Sequence, residues 1–360
     1  IIKEVSTKIN HTLLHVAKYP VGLESRVHEV NFLLNIESES DGVAYMVRIH
    51  GIGGIGKSTI ARAVYNSISD HFEGLCCFLE DVRVNSVKYG LVHLQEAVLS
   101  VILGDKETRL QNVNEGISTL KERLQKKKIL LVLDNVDKIE QLEAIVGGRE
   151  WFGYGSRVII TTREERLLEM HGVKKRYPVQ ELSDTEALDL LRWNAFKTDK
   201  TDPRYTNILN RAVSYASRLP LALEVVGSNF FGKGEEECKL ILDRYDRIID
   251  KKIHNVLKAS FNSLEEEEKK VFLDIACCFG GYKLSDVENI LHAHHGSSVR
   301  LSIGLLIEKS FINTDEGLLT LHSLLQDMGR EIVREESQKP CERSRLWFHE
   351  EVVQVLEETM

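Results

Sequence analysis

Gly51-Ile52-Gly53-Gly54-Ile55-Gly56-Lys57-Ser58 meets the pattern G-x-x-x-x-G-K-[ST] at every defined position. Glycines at this spacing let backbone N–H groups turn inward around a phosphate. Lys57 can then reach the β and γ phosphates, and the Ser58 hydroxyl can ligate Mg²⁺. The flanks agree with this reading. Val43-Ala44-Tyr45-Met46-Val47-Arg48-Ile49 is an apolar run suited to a buried parallel strand. After Lys57, the residues Ile60, Ala61, Val64 and Ile68 recur at helical spacing. A chance glycine-rich turn would not require a strand before it and a helix after it.

Further strands follow the loop. Cys77 to Val82 reads as a second strand, and Leu91 to Leu103 as an amphipathic helix. Ile129-Leu130-Leu131-Val132-Leu133 is a continuous apolar run ending in Asp134, and Arg157 to Thr161 is another. Strands alternating with helices predict an α/β fold, a parallel P-loop sheet with helices on both faces. From about Val179 the pattern becomes helical. S/T-x-x-E/Q capping boxes stand at Thr162–Glu165, Ser183–Glu186, Ser263–Glu266 and Ser323–Gln326. Glu186 to Phe196, Ile208 to Leu219 and Leu221 to Phe231 suit a helical bundle. Val271, Phe272, Ile275, Ala276 and Phe279 form a later helical stripe, and Leu301, Leu305 and Leu306 another. Phe311-Ile312-Asn313 and Leu318 to Leu321 flank Thr314-Asp315-Glu316-Gly317, a hairpin signal before a final helix. That combination predicts a winged-helix subdomain. The expected domains are a linker helix over 1–19, a nucleotide-binding domain over 20–180, a helical subdomain over 181–252 and a winged helix over 253–360. Within the nucleotide-binding domain, Val27, Val30, Leu33 and Leu34 share one face of a short entry helix after Pro20-Val21-Gly22-Leu23.

Composition narrows the class. The chain has 360 residues, 42% apolar and 28% charged, with a net charge of -8. This is ordinary globular composition, and the charge favours neither nucleic acid nor an anionic membrane. No apolar run approaches a membrane span. The chain opens at Ile1 without methionine, as a piece of a longer protein would. The six cysteines lack zinc-ligand spacing, and Cys76-Cys77 and Cys277-Cys278 lie in apolar segments as core residues would. This usage points to a reducing compartment without structural disulfides.

Four residues carry the chemistry beyond the loop. Asp134 ends an apolar strand, where a carboxylate can hold Mg²⁺; otherwise it is a strand-ending turn residue. Arg163 follows a strand at its carboxyl end, placed to sense a γ-phosphate; otherwise it is a surface arginine. Asn135 can orient water but cannot accept its proton, so turnover is expected to be slow at most. Replacing Asn135 by Asp should raise it, and Asp137 is only a distant substitute. His322 sits where the wing meets a helix, a position that is either structural or in contact with ligand.

Together these segments resemble the NB-ARC module of TIR-type NLR immune receptors of plants. Val21-Gly22-Leu23-Glu24-Ser25-Arg26 looks like the entry motif, whose backbone holds adenine. Gly51 to Thr59 is the P-loop, with Gly53, Gly54, Ile55, Gly56, Lys57, Ser58 and Thr59 at the nucleotide. Lys128 to Asp137 resembles kinase-2, and Gly155 to Arg163 the sensor strand. Leu219-Pro220-Leu221-Ala222-Leu223 matches the GLPL core, whose proline packs on adenine. Phe272 to Phe279 is similar to the motif opening the winged helix, and Leu321-His322-Ser323 stands where the family has Met-His-Asp. Three motifs depart from the family. Asn135 replaces an aspartate, Ser217 and Arg218 replace glycines, and only His322 of its triplet remains.

The resemblance implies a switch that holds ADP at rest, with His322 contacting the β-phosphate. Exchange for ATP with Mg²⁺ would open it to self-oligomerise. Implied partners are TIR and leucine-rich-repeat domains of the same chain and a pathogen effector or guarded host protein, in the cytoplasm or also the nucleus. Two other functions compete. One is an actively hydrolysing ATPase, disfavoured by Asn135. The other is a winged-helix DNA-binding regulator, disfavoured by Glu265-Glu266-Glu267-Glu268 and an acidic tail.

Overall fold

The structure is a computed structural model that describes residues 13–36, 44–104, 108–163, 172–198, 202–245 and 249–359. The chain divides into two compact units, Ile1–Gly51 with Gly56–Gln180, and Ile52–Ile55 with Glu181–Met360.

The first unit opens with α1 (Leu23–Leu34) and β1 (Tyr45–His50), followed by α2 (Lys57–Ile68). Next come β2 (Cys76–Leu79), α3 (Val82–Tyr89), α4 (Leu91–Leu103) and α5 (Val113–Leu124). The unit ends with β3 (Leu130–Val136), α6 (Ile139–Ile145), β4 (Arg157–Thr162) and β5 (Lys175–Pro178). Among the described residues five strands form one parallel sheet in the order β2-β3-β4-β1-β5. The central strands are buried on both faces, with Val47, Leu131, Leu133, Val158 and Ile160 fully enclosed. Their carboxyl ends converge at the P-loop, Asp134 and Thr162, the edge where open α/β sheets bind ligands.

The expected helix over 1–19 is not seen in its described part. Leu13 to Pro20 is non-helical. Asn66 of α2 accounts for this, because its side chain accepts from Leu14 N at 2.9 Å and donates to Leu14 O at 2.8 Å. Those are the backbone groups a helix would pair internally. Residues 1–12 lie outside the described residues, as do Val43 of the predicted strand and Glu165 of the first predicted capping box.

The second unit is helical. It begins with α7 (Asp184–Phe196), α8 (Thr206–Ala216), α9 (Pro220–Phe230), α10 (Glu235–Tyr245) and α11 (Lys251–Phe261). Gly227 lets α9 approach α7 closely, since a Cβ there would lie 2.5 Å from that of Asn194. Then α12 (Glu266–Asp274) runs into a π-helical turn, Ile275–Phe279, followed by α13 (Leu284–His295) and α14 (Val299–Glu308). Antiparallel β6 (Asn313–Asp315) and β7 (Leu318–Thr320) form the wing. Its turn residues Glu316 and Gly317 have φ of 47° and 81°, the left-handed pair a two-residue hairpin requires. The unit closes with α15 (Ser323–Arg334) and α16 (His349–Thr359).

Two predicted capping boxes are misplaced. Ser263 bonds back to Ser260 O at 2.6 Å and ends α11, so α12 starts later, with Glu265 N donating to Glu268 Oε2 at 3.1 Å. Ser323 is the first residue of α15, and His322 caps that helix instead. Ser183 and Glu186 do form the expected box on α7. Cys76, Cys77 and Cys277 are core residues as expected, but Cys278 is exposed because it points out of the π-helical turn.

Candidate nucleotide-binding site

The P-loop backbone is built on glycine. Gly51, Gly54 and Gly56 have φ of 146°, 82° and 100°, values that a side chain disfavours. Within the second unit, Leu221 N donates to Gly54 O at 3.2 Å, and a Cβ on Gly54 would meet Leu221 Cβ at 2.8 Å. Gly53 and Ile55 are buried. Gly56 starts α2 without any side-chain cap or first-turn acid, so the helix's leading N–H groups and positive dipole end are open to an anion.

Lys57 is 8% exposed, and its Nζ donates to Gly51 O at 2.8 Å. Burial pulls its ammonium down to about 7, with Arg163 adding to the fall and Asp134 opposing it. A phosphate beside Nζ would relieve that penalty. Ser58 Oγ donates to Asp134 Oδ1 at 2.7 Å, and Thr161 Oγ1 donates to the same oxygen at 2.6 Å. A hydroxyl and a carboxylate in contact below the loop form the hard-oxygen pair that Mg²⁺ prefers. The residues present therefore fit a nucleoside phosphate with Mg²⁺. Lys57, the start of α2 and Thr59 in its first turn would face the phosphates, and Ser58 and Asp134 the metal.

Asn135 adopts φ 59°. Its N–H donates to Thr161 Oγ1 at 2.8 Å and its Nδ2 to Asp81 Oδ1 at 2.7 Å. Asp137 is engaged elsewhere, with Arg83 Nε 3.2 Å from Oδ2 and Gln141 Nε2 donating to Oδ1 at 2.8 Å. Arg163 follows β4, held below its usual range by burial and then by Arg83, while Asp81 and Asp137 act the other way. Asp81 and Thr161 join the site unforeseen. The position of Asp81 just past a strand's carboxyl end is the signal that could have found it.

Val21 precedes left-handed Gly22 (φ 63°) at the entry to α1. Pro220 is the first residue of α9, where proline's missing N–H costs nothing. His322 Nδ1 accepts from Leu324 N at 3.2 Å, and Nε2 lies 3.8 Å from Glu181 Oε1. Burial lowers the His322 pKa, opposed by the Glu181 charge and Ser217, while Arg218 lowers it further.

A glycine loop, a buried lysine at a helix start and a strand-end carboxylate on a parallel sheet define a P-loop nucleotide-binding protein. Residues 24–201 match the NB-ARC domain, and residues 265–337 match the winged-helix domain of disease resistance protein Roq1-like chains. The chain belongs to the NB-ARC family of plant disease resistance proteins. Disease resistance protein RUN1 of Vitis rotundifolia is 38% identical over 96% of this chain and 26% of its own length. TMV resistance protein N of Nicotiana glutinosa is 36% identical over 99% of this chain and 31% of its own. The chain thus spans about a quarter to a third of these relatives. A Walker-type ATPase of Pyrococcus abyssi superposes with a TM-score of 0.58 at 13% identity, covering 88% of this chain and 99% of that one. The Aeropyrum pernix ORC2 protein, solved as ADPNP-ADP complexes, gives 0.50 at 13% identity over 88% and 96%. At such identity these two likenesses show the fold alone. Among the described residues no helix is long and apolar enough to cross a membrane.

Proposed function

We propose that this chain is the ADP/ATP-dependent switch of an intracellular plant immune receptor. The observation that carries the reading is the contact of Ser58 with Asp134 beside a buried Lys57 and an uncapped helix start. This apparatus suits tight nucleotide binding. ADP holds the resting form, with Pro220 and Val21 at the adenine and His322 at the β-phosphate. Exchange for ATP with Mg²⁺ favours an open form that assembles with further copies. The two nucleotides need different affinities for the two forms for this to work. The TIR and leucine-rich-repeat regions of the longer receptor would signal and would sense an effector or guarded host protein, in the cytoplasm or nucleus. A DNA-binding role fits less well, since Glu265, Glu266 and Glu267 are exposed at the start of the winged helix.

The test is the nucleotide released on denaturing purified protein. Stoichiometric ADP supports the resting switch. Protein that neither retains nor binds ADP or ATP ends the proposal.

A further inference from the structure

Asp81 stands immediately before α3, where an aspartate ordinarily caps the helix with its carboxylate. Here it makes no side-chain cap bond. Its backbone instead turns to φ 44°, and Oδ1 accepts from Asn135 Nδ2 at 2.7 Å. Asn135 is also left-handed, at φ 59°. Two adjacent strand ends therefore both hold sparsely populated conformations, of the kind found where side chains must be aimed. The bond is part of a longer chain. Asn135 N donates to Thr161 Oγ1, which donates to Asp134 Oδ1, which also accepts from Ser58 Oγ. Asp81 is thus tied through three groups to the carboxylate that would hold Mg²⁺. The neighbouring acids are engaged elsewhere, with Glu80 paired to Arg62 at 3.2 Å and Asp137 held by Arg83 and Gln141.

We infer that Asp81 is the carboxylate that accepts the proton of the attacking water, with Asn135 as its positioning residue. The inference rests on the proposed nucleotide switch and gives it a route back to the ADP form. Asn135 commits its amide N–H to Asp81 and keeps Oδ1 to orient water. As the water oxygen bonds to the γ-phosphorus, the bond from that phosphorus to the β–γ bridging oxygen breaks. ADP leaves with the electron pair of the broken bond on that oxygen, and the water proton passes to Asp81 and then to solvent. The acid missing at Asn135 is supplied across one hydrogen bond from the neighbouring strand.

The experiment compares Asp81→Asn, Asp81→Gly, Asn135→Asp and the swap Asp81→Asn with Asn135→Asp. Single-turnover ATP hydrolysis, its pH profile, ADP affinity and the nucleotide retained on purification are all measured. Asp81→Asn should slow hydrolysis by about a hundredfold or more. It should leave ADP affinity nearly unchanged and move the retained nucleotide from ADP toward ATP. Asp81→Gly suits φ 44° and should show the same loss without disturbing the fold. Asn135→Asp alone sets two carboxylates against each other, so one keeps a proton and the gain expected from sequence is blunted. The swap restores one carboxylate in the pair and should recover hydrolysis with its pH dependence. Native hydrolysis and ADP content in both Asp81 variants would overturn the inference, and so would a native chain that binds ATP but never cleaves it. A native chain that binds no nucleotide would instead remove the switch reading beneath it.

Discussion

Burying the Lys57 ammonium without an anion beside it costs free energy, since burial pulls its pKa down to about 7. Function and stability therefore oppose each other at this residue. Lys57→Met should raise the melting point of nucleotide-free protein, by about 0.5–2 kcal/mol of stability. It should also abolish the ADP-induced shift, which in the native chain is worth about 4 kcal/mol at a thousandfold excess over the dissociation constant. Thermal melts with and without ADP and Mg²⁺ check both arms; a surviving ADP shift would remove Lys57 from the site. His322 requires a different control. Its Nδ1 caps α15, so His322→Ala should lower stability even without ADP, by about 1 kcal/mol. His322→Asn keeps a capping side chain but loses Nε2. If His322 holds the β-phosphate, the asparagine variant should release ADP about tenfold faster or more, at a nearly native melting point. Release at the native rate would confine His322 to its cap. Sequence could not separate these roles, because one ring presents two nitrogens to different partners.

Ser217 and Arg218 stand where the family resemblance implies glycines, and their backbone shows what glycine would serve there. Their φ values are 45° and 56°, the left-handed turn that ends α8 before Pro220 starts α9. A non-glycine residue pays about 1–2 kcal/mol for that conformation. Arg218 is anchored by Glu181 at 2.9 Å and Asp184 at 3.2 Å, and its carbonyl accepts from Leu182 N at 3.3 Å. Ser217 Oγ bonds Ser323 Oγ. Ser217→Gly should therefore be more stable than Ser217→Ala by about 1 kcal/mol, because both lose the hydroxyl but only glycine relieves the turn. Denaturant melts give the difference, and equal stabilities would show that the turn is unstrained. Elements with strong periodicity and a local end signal were legible in sequence. Helix α4 spans Leu91–Leu103 as predicted, and α7 has its Ser183 box. The ends of α12 and α15 were not, because Ser263 and Ser323 meet the capping pattern while bonding elsewhere. The Asp81–Asn135 pair was hidden in the same way, since its partners are 54 positions apart and only the sheet order β2-β3 joins them.

Acid stability belongs to the second unit as a body. His254 and His322 are both almost fully enclosed, and burial holds both below the ordinary histidine pKa of 6.5. Glu335, 3.8 Å from His254, and Glu331 oppose the shift, while Lys258 adds to it; Glu181 and Arg218 act likewise at His322. In the unfolded chain both rings take up a proton as pH falls through about 6.5. In the fold they do so only at lower pH, so the unfolded state binds more protons and stability falls on acidification. Each ring contributes a slope of up to about 1.4 kcal/mol per pH unit below 6.5, ending once its folded pKa is passed. Glu224 and Asp327 work in the other direction, because burial raises both and the fold then holds the extra protons. Their unfolded pKa values are 4.5 and 3.8, so the destabilisation their burial causes at neutral pH is relieved as pH descends toward that range. The melting point should therefore drop between pH 7.5 and 5.5, with His254→Gln removing part of the drop and His254→Gln with His322→Asn most of it. Melts of the three proteins across that range are the measurement. A slope unchanged in the double variant would mean that other groups set the acid limit.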